Sequence, residues 1–290
     1  MKTAIARRLL RLNRDFYDTF AADFADSRRA LQPGIVRALE ALEPFRSIVD
    51  VGCGDGRVGL ALAGGVAGHG VSRYLGVDYS EGLLRQASPG MPPGFRFMLC
   101  DLTSVDWPIQ ARRGQAEKTP FDAAVCFSAL HHIPGARRRL RLLRGMRSLL
   151  KPGARCAVSV WQFLHVPRLR RKIVPWSEVD LRAEDVDAGD YLLDWRRGGR
   201  GLRYVHHFDE PELTRLCLRA GFRPLDVYRS DGRAPALRSP RPRAKRGGVG
   251  SRSPDPDSDP ERSEGEEEGA AEGSGSGEMG LYILLQVVIY

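Results

Sequence analysis

Apolar residues along the chain recur at two spacings, one typical of buried strands and one typical of helices. Seven short apolar runs have strand length, and they lie at 47–51, 74–78, 95–99, 123–127, 156–161, 225–228 and 281–289. Helical spacing separates them, around Val58–Ala63, from Ser80 onward, at Arg137–Leu150 and at Glu210–Ala220. Strands that are apolar on both faces and alternate with helices predict a parallel sheet covered by helices on both sides. We therefore predict an α/β fold, with a doubly wound, seven-stranded, mostly parallel sheet whose last strand is antiparallel.

Two segments depart from this alternation. Residues 1–45 have helical spacing, with an aromatic stripe at Phe16, Tyr17, Phe20 and Phe24, and they predict an N-terminal helical cap. Residues 232–278 are rich in Pro, Arg and Ser and then in Glu, Ser and Gly, and they lack the apolar content that a packed core needs. We expect one domain formed by 1–231 and 279–290, with 232–278 as a disordered insert between the last two strands.

The charge and the cysteine content of the chain limit the classes of protein to which it can belong. The chain carries a net charge of +9, and 37 basic and 26 acidic side chains lie outside residues 232–278. Such an excess favours an anionic partner such as nucleic acid, although an arginine-rich genome would produce it too. No two of the five cysteines are spaced C-x-x-C, so we predict neither a disulfide framework nor a metal site. Without a secretory signal or a membrane-spanning run, we expect a cytoplasmic protein, with the nucleus as an alternative, and no membrane partner.

A glycine-rich turn follows the first predicted strand. Glycines stand at positions 52, 54 and 56, between Asp50 and the helix that follows. Glycines at this point let the backbone turn sharply and approach a ligand at the carboxyl edge of the sheet. The flanking carboxylates of Asp50 and Asp55 would repel a pyrophosphate, whereas they suit a ligand with an amino group and a sulfonium. The turn therefore favours S-adenosylmethionine over a dinucleotide.

Carboxylates also follow the second and third strands. Asp78 ends the second strand, where it can accept hydrogen bonds from both ribose hydroxyls, and a surface aspartate is the alternative interpretation. Asp101 follows the third strand and can accept from the adenine amino group, while Leu102 can pack on the ring. The carboxyl ends of neighbouring parallel strands meet at one edge of the sheet, so these groups are expected to share one site.

Together these motifs resemble the class I S-adenosylmethionine-dependent methyltransferases, over roughly residues 45–165. Phe121–His132 is similar to that family's fourth strand and the loop after it, and Leu149–Gly153 to the turn before its fifth strand. The resemblance implies a Rossmann-like fold and implies that Phe127 and Ser128 line the cofactor cavity. The predicted cofactor-binding residues are Asp50, Gly52, Cys53, Gly54, Gly56, Asp78, Asp101, Leu102, Phe127 and Ser128.

Four further stretches resemble the tRNA wobble-uridine carboxymethyl methyltransferases, which esterify a carboxymethyluridine in the anticodon. They are Tyr17–Phe20 with Phe24–Arg28, Val158–Trp161, Val174–Trp176, and Arg203–Phe208 with the helix start after it. The chain differs from that family at Leu31–Pro33, where a tryptophan–proline pair is common, and in its long insert. The resemblance implies tRNA as partner, and in some members of the family a small zinc-binding activator protein is required.

The expected substrate determines which chemical groups are needed. A carboxylate is ionised at neutral pH and is itself the nucleophile, so catalysis needs orientation and no general base. Our candidates for positioning the substrate are Arg28, His132, Trp161, Arg203 and His206, and no residue is assigned a certain catalytic role. His131 and His132 are alternatively a base for a hydroxyl or amine. A small-molecule O- or N-methyltransferase and a non-catalytic binding protein therefore remain as alternatives.

Arginines provide a further sign of a nucleic-acid substrate. Six of them lie on the helix predicted after the fourth strand, at 137, 138, 139, 141, 144 and 147, and more follow the fifth strand. Phosphate contacts need such residues, and a solvated helix face is the alternative interpretation. Trp161, Trp176, Trp195 and Tyr204 lie among these arginines in the sequence and are candidates for stacking on an unpaired base.

Overall fold

The central strands form where the chain is apolar on both faces. The computed structural model describes residues 1–26, 31–66, 70–87, 90–115, 119–231 and 279–288. The strands are β1 (Ser47–Val51), β2 (Arg73–Asp78), β3 (Phe95–Leu99), β4 (Phe121–Phe127), β5 (Leu150–Trp161), β6 (Ile173–Val174), β7 (Asp190–Trp195), β8 (Gly201–His206), β9 (Phe222–Ser230) and β10 (Gly280–Val287). The helices are α1 (Thr3–Thr19), α2 (Ala21–Asp26), α3 (Pro33–Leu42), α4 (Arg57–Ala63), α5 (Glu81–Ala87), α6 (Trp107–Arg113), α7 (Ala136–Ser148), α8 (Pro167–Arg170) and α9 (Glu210–Arg219).

Seven of these strands form one sheet, in the order β3-β2-β1-β4-β5-β10-β9. Strands β1 to β5 pair in parallel, and β10 is antiparallel to both of its neighbours, β5 and β9. The predicted α/β class, the seven strands and the antiparallel last strand are confirmed. Residues 232–278, for which we predicted a disordered insert, lie outside the described residues.

Successive side chains of β1 enter two different cores because strand side chains alternate between the faces of a sheet. Val49 and Val51 belong to a cluster with residues of α6, α7 and α9. Ile48 belongs to a second cluster, with residues of α3 and α4. Both faces of the sheet are therefore covered at β1, which leaves the carboxyl edge as the place where a ligand reaches this strand.

One predicted turn is part of a strand. We expected residues 151–153 to close the helix before the fifth strand, but β5 already begins at Leu150. Its pairing with β4 shifts register between Phe121 and Ala123, and this irregularity accommodates Pro152 and Gly153. The helix start at Ser80 is as predicted, since Ser80 Oγ accepts the N–H of Leu83 at 3.2 Å.

A second sheet, which the sequence did not predict, is inserted between β5 and α9. It is antiparallel, in the order β6-β7-β8, and helix α1 of the N-terminal cap packs against β8. The buried amide of Asn13 joins them: its Nδ2 donates to the backbone oxygens of Tyr204 (3.0 Å) and His132 (3.1 Å), and its Oδ1 accepts the N–H of Tyr204 at 2.7 Å. The cap is thereby fixed over the carboxyl edge of the large sheet.

All five cysteines are buried with free thiols. Among the described residues, no helix has both the length and the apolar character needed to cross a bilayer.

The contact between α6 and α7 depends on a glycine. A Cβ built on Gly145 would lie 2.5 Å from Nε1 of Trp107, whose ring is fully buried. We expect Gly145→Ala to lower the free energy of unfolding by about 1–2 kcal/mol, because overpacking outweighs the gain in helix propensity. Urea unfolding would measure the change. The control Gly64→Ala, at an exposed helix end with no contact under 3.5 Å, should stay within about 0.5 kcal/mol of wild type. Equal values for the two variants would contradict this account of the packing.

Candidate functional site

The turn after β1 forms the floor of a cavity at the carboxyl edge of the sheet. Gly52 and Gly54 both have positive φ, of 79° and 55°, a region that side chains other than glycine rarely enter. A Cβ on Gly52 would lie 2.2 Å from the Cβ of Ala129, so glycine is required there for packing as well. At Gly54 the nearest atom to such a Cβ is 3.9 Å away, so this part of the turn has room on its cavity side.

The carboxylate of Asp78, at the end of β2, holds this turn in place. Its Oδ2 accepts the N–H of Gly54 and its Oδ1 accepts the N–H of Ser80, both at 2.9 Å. Burial raises the pKa of Asp78 to about 6, against the opposing effect of these backbone donors. Each oxygen keeps a second lone pair, so the carboxylate can still accept hydroxyl groups of a ligand.

A second buried carboxylate, Asp50, lies in the same cavity wall. The hydroxyl of Tyr74 donates to its Oδ2 at 2.8 Å. Burial raises the pKa of Asp50 to about 7, and the charge of Asp78 contributes in the same direction. Asp55, by contrast, pairs with Arg57, whose Nε lies 3.4 Å from its Oδ1. The wall formed by Asp50 and Asp78 is thus a site for a cation or for hydroxyl donors.

The sheet edge and the cap together enclose the cavity. Its lining comprises Tyr17, Phe24, Gln32, Ile35, Asp50, Gly52, Cys53, Gly54, Arg57, Val58, Asp78, Tyr79, Leu83, Leu102, Phe127, Ser128, Ala129, His132 and Ile133. Eight of the ten predicted cofactor-binding residues are among them.

The other two predicted residues lie beside the cavity. Gly56 begins α4, and a Cβ there would lie 2.6 Å from Ala87 and 2.9 Å from Phe97, so this glycine serves helix packing. Asp101 is exposed on an adjoining cleft, where its Oδ1 accepts the N–H and the hydroxyl of Thr103 at 2.9 and 2.7 Å. Its Oδ2 is the oxygen that an adenine amino group would have to reach.

Ser128 directly follows β4 and has a strained conformation. Its φ is 54°, which is uncommon for a residue other than glycine, and its N–H donates to the backbone oxygen of Ser159 at 3.1 Å. Such strain is concentrated at functional sites, where the surrounding structure holds it in place.

Two side chains from distant parts of the sequence meet above this floor. The Nδ1 of His132 lies 3.1 Å from the backbone oxygen of Tyr204, which can only accept, so Nδ1 carries the proton. The hydroxyl of Tyr17 lies 2.8 Å from the other ring nitrogen, Nε2, and donates to it when the ring is neutral. The imidazole is therefore held in a fixed orientation in the cavity wall.

His206 belongs to a different buried network. Its Nδ1 lies 2.7 Å from Asp190 and its Nε2 lies 3.0 Å from Glu212. Although burial alone would lower the pKa of His206, these two carboxylates raise it overall. Arg139, which is 2% exposed, lies 4.0 Å from Asp190 and 3.8 Å from Glu212. His206 does not line the cavity, and buried Arg139 is open neither to a phosphate, as we predicted for the helix arginines, nor to solvent, as the alternative interpretation had it.

Trp161 and Arg203 are packed behind the cavity wall. The guanidinium of Arg203 lies 4.6, 5.3 and 5.4 Å from the ring centres of Trp161, Phe16 and Trp195. Trp161, Trp195 and Tyr204 are all less than 9% exposed, so they are closed to an RNA base as the structure stands. Arg28 lies outside the described residues.

Three tyrosines that line the cavity or support its wall were not predicted as site residues, namely Tyr17, Tyr79 and Tyr74. Tyr17 was named only in the aromatic stripe and in a family-like stretch, and its partner His132 is 115 positions away. The spacing along α1 could have indicated Tyr17, because Asn13 and Tyr17 are four residues apart and therefore share a helix face.

The chain matches a family model described as a methyltransferase domain over residues 24–227. It is 30% identical over 213 residues to a protein of Encephalitozoon cuniculi that is named a methyltransferase, covering 73% of this chain and 87% of that one. It is 29% identical over 146 residues to the tRNA (carboxymethyluridine(34)-5-O)-methyltransferase of Mus musculus. That match covers 50% of this chain and only 19% of the mouse protein.

Solved structures share the fold at low identity. An S-adenosylmethionine-dependent methyltransferase of Methanosarcina mazei is 20% identical with a TM-score of 0.55, over 90% of this chain and 99% of that one. A chain from the complex between the Haloferax volcanii Trm112 methyltransferase activator and a methyltransferase is 15% identical with a TM-score of 0.56, over 96% of this chain and 98% of that one. The predicted Rossmann-like methyltransferase fold and S-adenosylmethionine as cofactor are confirmed.

The raised pKa values of the two carboxylates make cofactor binding depend on pH. A cationic cofactor prefers the ionised carboxylates, which form as pH rises through about 6 for Asp78 and about 7 for Asp50. We expect the affinity for S-adenosylmethionine to rise roughly tenfold between about pH 5 and pH 7, as one required ionisation at a pKa near 6 demands. Calorimetric titration at constant ionic strength measures it.

The Asp78→Asn variant should bind more weakly and lose most of this pH dependence. The control Asp226→Asn removes a carboxylate that is exposed on the edge strand β9 and should keep the wild-type profile. An affinity independent of pH in the wild type would refute the role of the buried carboxylates.

Proposed function

The chain belongs to the methyltransferase domain family, and from this premise we propose that it esterifies the carboxymethyl group of a wobble uridine in tRNA. The reaction class is S-adenosylmethionine-dependent methyl transfer, whatever the substrate. The observation that carries the finer proposal is the match of half of this chain to a relative named for the carboxymethyluridine reaction. The basic character of the residues outside 232–278 agrees with an RNA substrate.

The two buried carboxylates and the glycine turn fit the cofactor. When bound, S-adenosylmethionine supplies a methyl group on a positively charged sulfur. Asp78 retains lone pairs for ribose hydroxyls, and the space beside Gly54 admits a ligand close to the backbone. Leu102, which is buried in the cavity wall, provides an apolar surface for the base. Asp50 adds negative charge to the same wall.

His132, which lines the same cavity, suits a substrate that is already ionised. Both ring nitrogens of His132 have partners, because Nδ1 donates to a backbone oxygen and Nε2 lies 2.8 Å from the hydroxyl of Tyr17. A base must have an available lone pair, so this arrangement works against proton abstraction by His132 as the structure stands. A carboxylate nucleophile needs orientation and exclusion of water, and Tyr17 and Phe24 from the cap provide a hydroxyl and an apolar cover in the cavity.

The decisive experiment is methyl transfer from labelled S-adenosylmethionine to bulk tRNA from cells that lack this protein. We expect label in tRNA that mild base releases, because an ester is base-labile while a methylated base or ribose is not. Asp78→Asn should reduce the incorporation strongly. Base-stable label would contradict carboxyl chemistry. Cofactor binding without label, with the activator protein present, would favour a small-molecule substrate.

We also propose that an activator protein docks on the open edge of the large sheet. Strand β3 is one of the two edge strands of this sheet in the described part of the chain, and large apolar side chains on it and after it are exposed: Leu99 by 54%, Val105 by 75% and Ile109 by 52%. An unpaired strand edge beside exposed apolar residues is a surface that association stabilises. The likeness in fold to the Haloferax volcanii chain, which is named with an activator, supports this partner class.

Substitution at this edge should separate partner binding from folding. We expect Val105→Lys with Ile109→Lys to abolish co-purification with a co-expressed activator protein while the melting temperature of the chain alone stays unchanged. The control Leu218→Lys removes a 53% exposed leucine from α9 and should leave co-purification intact. Retention of the activator by the double variant would place its binding surface elsewhere.

A further inference from the structure

A cleft beside the cofactor cavity is lined by five arginines, and we name it the arginine cleft. Helix α1 contributes Arg7, Arg11 and Arg14, and helix α7 contributes Arg138 and Arg141. The spacing 7, 11, 14 places three guanidinium groups on one face of α1, and the spacing 138, 141 places two on one face of α7. Packing of the cap onto the body therefore brings two basic helix faces together.

Within the described part of the chain, no carboxylate lies within 4 Å of any of these five guanidinium groups. Neighbouring arginines on the same helices are neutralised: Arg8 on α1 lies 3.1 Å from Asp180, and Arg139 on α7 lies near Asp190 and Glu212. Partial burial lowers the pKa of Arg138, and the charges of Arg141 and Arg7 lower it further. The arrangement leaves like charges facing one another, which an anionic ligand would relieve.

The arginine cleft adjoins the cofactor cavity. Tyr79 lines both, and the guanidinium of Arg14 lies 5.8 Å from the centre of its ring. A strand lying in the cleft would therefore run beside the cofactor cavity. Arg7 and Arg14 are about 10 Å apart along the helix axis, which is more than one phosphate group spans.

We propose that the arginine cleft binds the phosphodiester backbone of the RNA strand next to the nucleoside being methylated. The proposal rests on the proposed RNA substrate and specifies where the polymer lies. A single phosphate carries at most two negative charges, so it would leave most of the five guanidinium groups unpaired. Asp101 is the one carboxylate that lines the cleft, and its predicted role toward the adenine of the cofactor accounts for its presence there.

Salt dependence of RNA binding tests this proposal independently of methyl transfer. The probe is a fluorescein-labelled anticodon stem–loop RNA, with affinity measured by anisotropy between about 50 and 200 mM KCl. We expect Arg7→Gln with Arg11→Gln to bind roughly tenfold more weakly near physiological salt and to reduce the slope of log K against log salt by about 1.4, which corresponds to two lost phosphate contacts on a single strand. Arg7→Lys with Arg11→Lys should keep most of the slope, because phosphate contacts need charge.

The matched control removes two arginines at the opposite, amino-terminal edge of the sheet. Arg46 precedes β1 and Arg96 lies early in β3, and both are exposed. Arg46→Gln with Arg96→Gln changes the net charge equally and should leave the slope unchanged. Equal losses in both pairs, or an unchanged slope in the cleft pair, would overturn the proposal. So would displacement of the RNA by inorganic phosphate at matched ionic strength, because the cleft would then be a site for a single phosphate.

The two proposals fail separately. Base-stable methylation or none, together with a reduced slope in the cleft variants, would leave the RNA site standing and reject the carboxyl chemistry. Base-labile methylation with an unchanged slope would do the reverse. Unchanged calorimetric binding of S-adenosylmethionine by each variant establishes that the fold and the cofactor cavity are intact.

Discussion

The carboxylate of Asp78 joins the ends of β1 and β2, and the cofactor site is built around that junction. It accepts one N–H from the glycine turn and one from the start of the next helix, at 2.9 Å each. Hydrogen bonds to a charged group contribute about 1.5–3 kcal/mol each, yet burial still raises the pKa of this carboxylate to about 6. The protein thus holds an anion that it solvates incompletely. A cationic or hydroxyl-rich ligand would supply the missing stabilisation, so we expect this junction to determine the affinity for the cofactor.

The cap forms the other half of the cavity, and its position depends on buried polar contacts. Asn13 joins α1 to β8 and to the loop after β4 through three hydrogen bonds, and Tyr17, one turn later, reaches His132. The inserted sheet is secured in turn by the carboxylates around His206. Removal of one partner from such a network leaves a buried polar group unsatisfied, which costs more than the bond itself contributes. The geometry of the cavity wall therefore depends on buried hydrogen bonds, including those of Asn13, which does not line the cavity.

Features of the fold and of the site could be predicted where they arise from residues close together in the sequence. The seven strands, the glycine turn and Asp78 follow from short-range patterns, because the carboxyl ends of neighbouring parallel strands meet wherever the sheet forms. The contact between Tyr17 and His132 spans 115 positions, and no short pattern specifies it. His206 was a reasonable candidate for substrate positioning until the fold brought Asp190 and Glu212 to its ring nitrogens. The three-stranded sheet was missed because β6 has two residues and β7 begins and nearly ends with aspartates.

Acidic side chains line the cavity and arginines line the cleft, so the proposed sites for the cationic cofactor and for the anionic RNA are separate. The carboxylates of the cavity are buried and are therefore little screened by salt. The arginines of the cleft lie at the surface, where salt screens charges over a Debye length of about 8 Å at physiological ionic strength. A guanidinium group placed inside the cavity would neutralise the wall that receives a cation. A carboxylate wall at the surface would repel the phosphates of an RNA. Helix α1 resolves the conflict, since its inner face carries Asn13 and Tyr17 toward the cavity and its outer face carries Arg7, Arg11 and Arg14 toward the cleft. One helix thereby covers the cavity that we propose for the cofactor and lines the cleft that we propose for RNA.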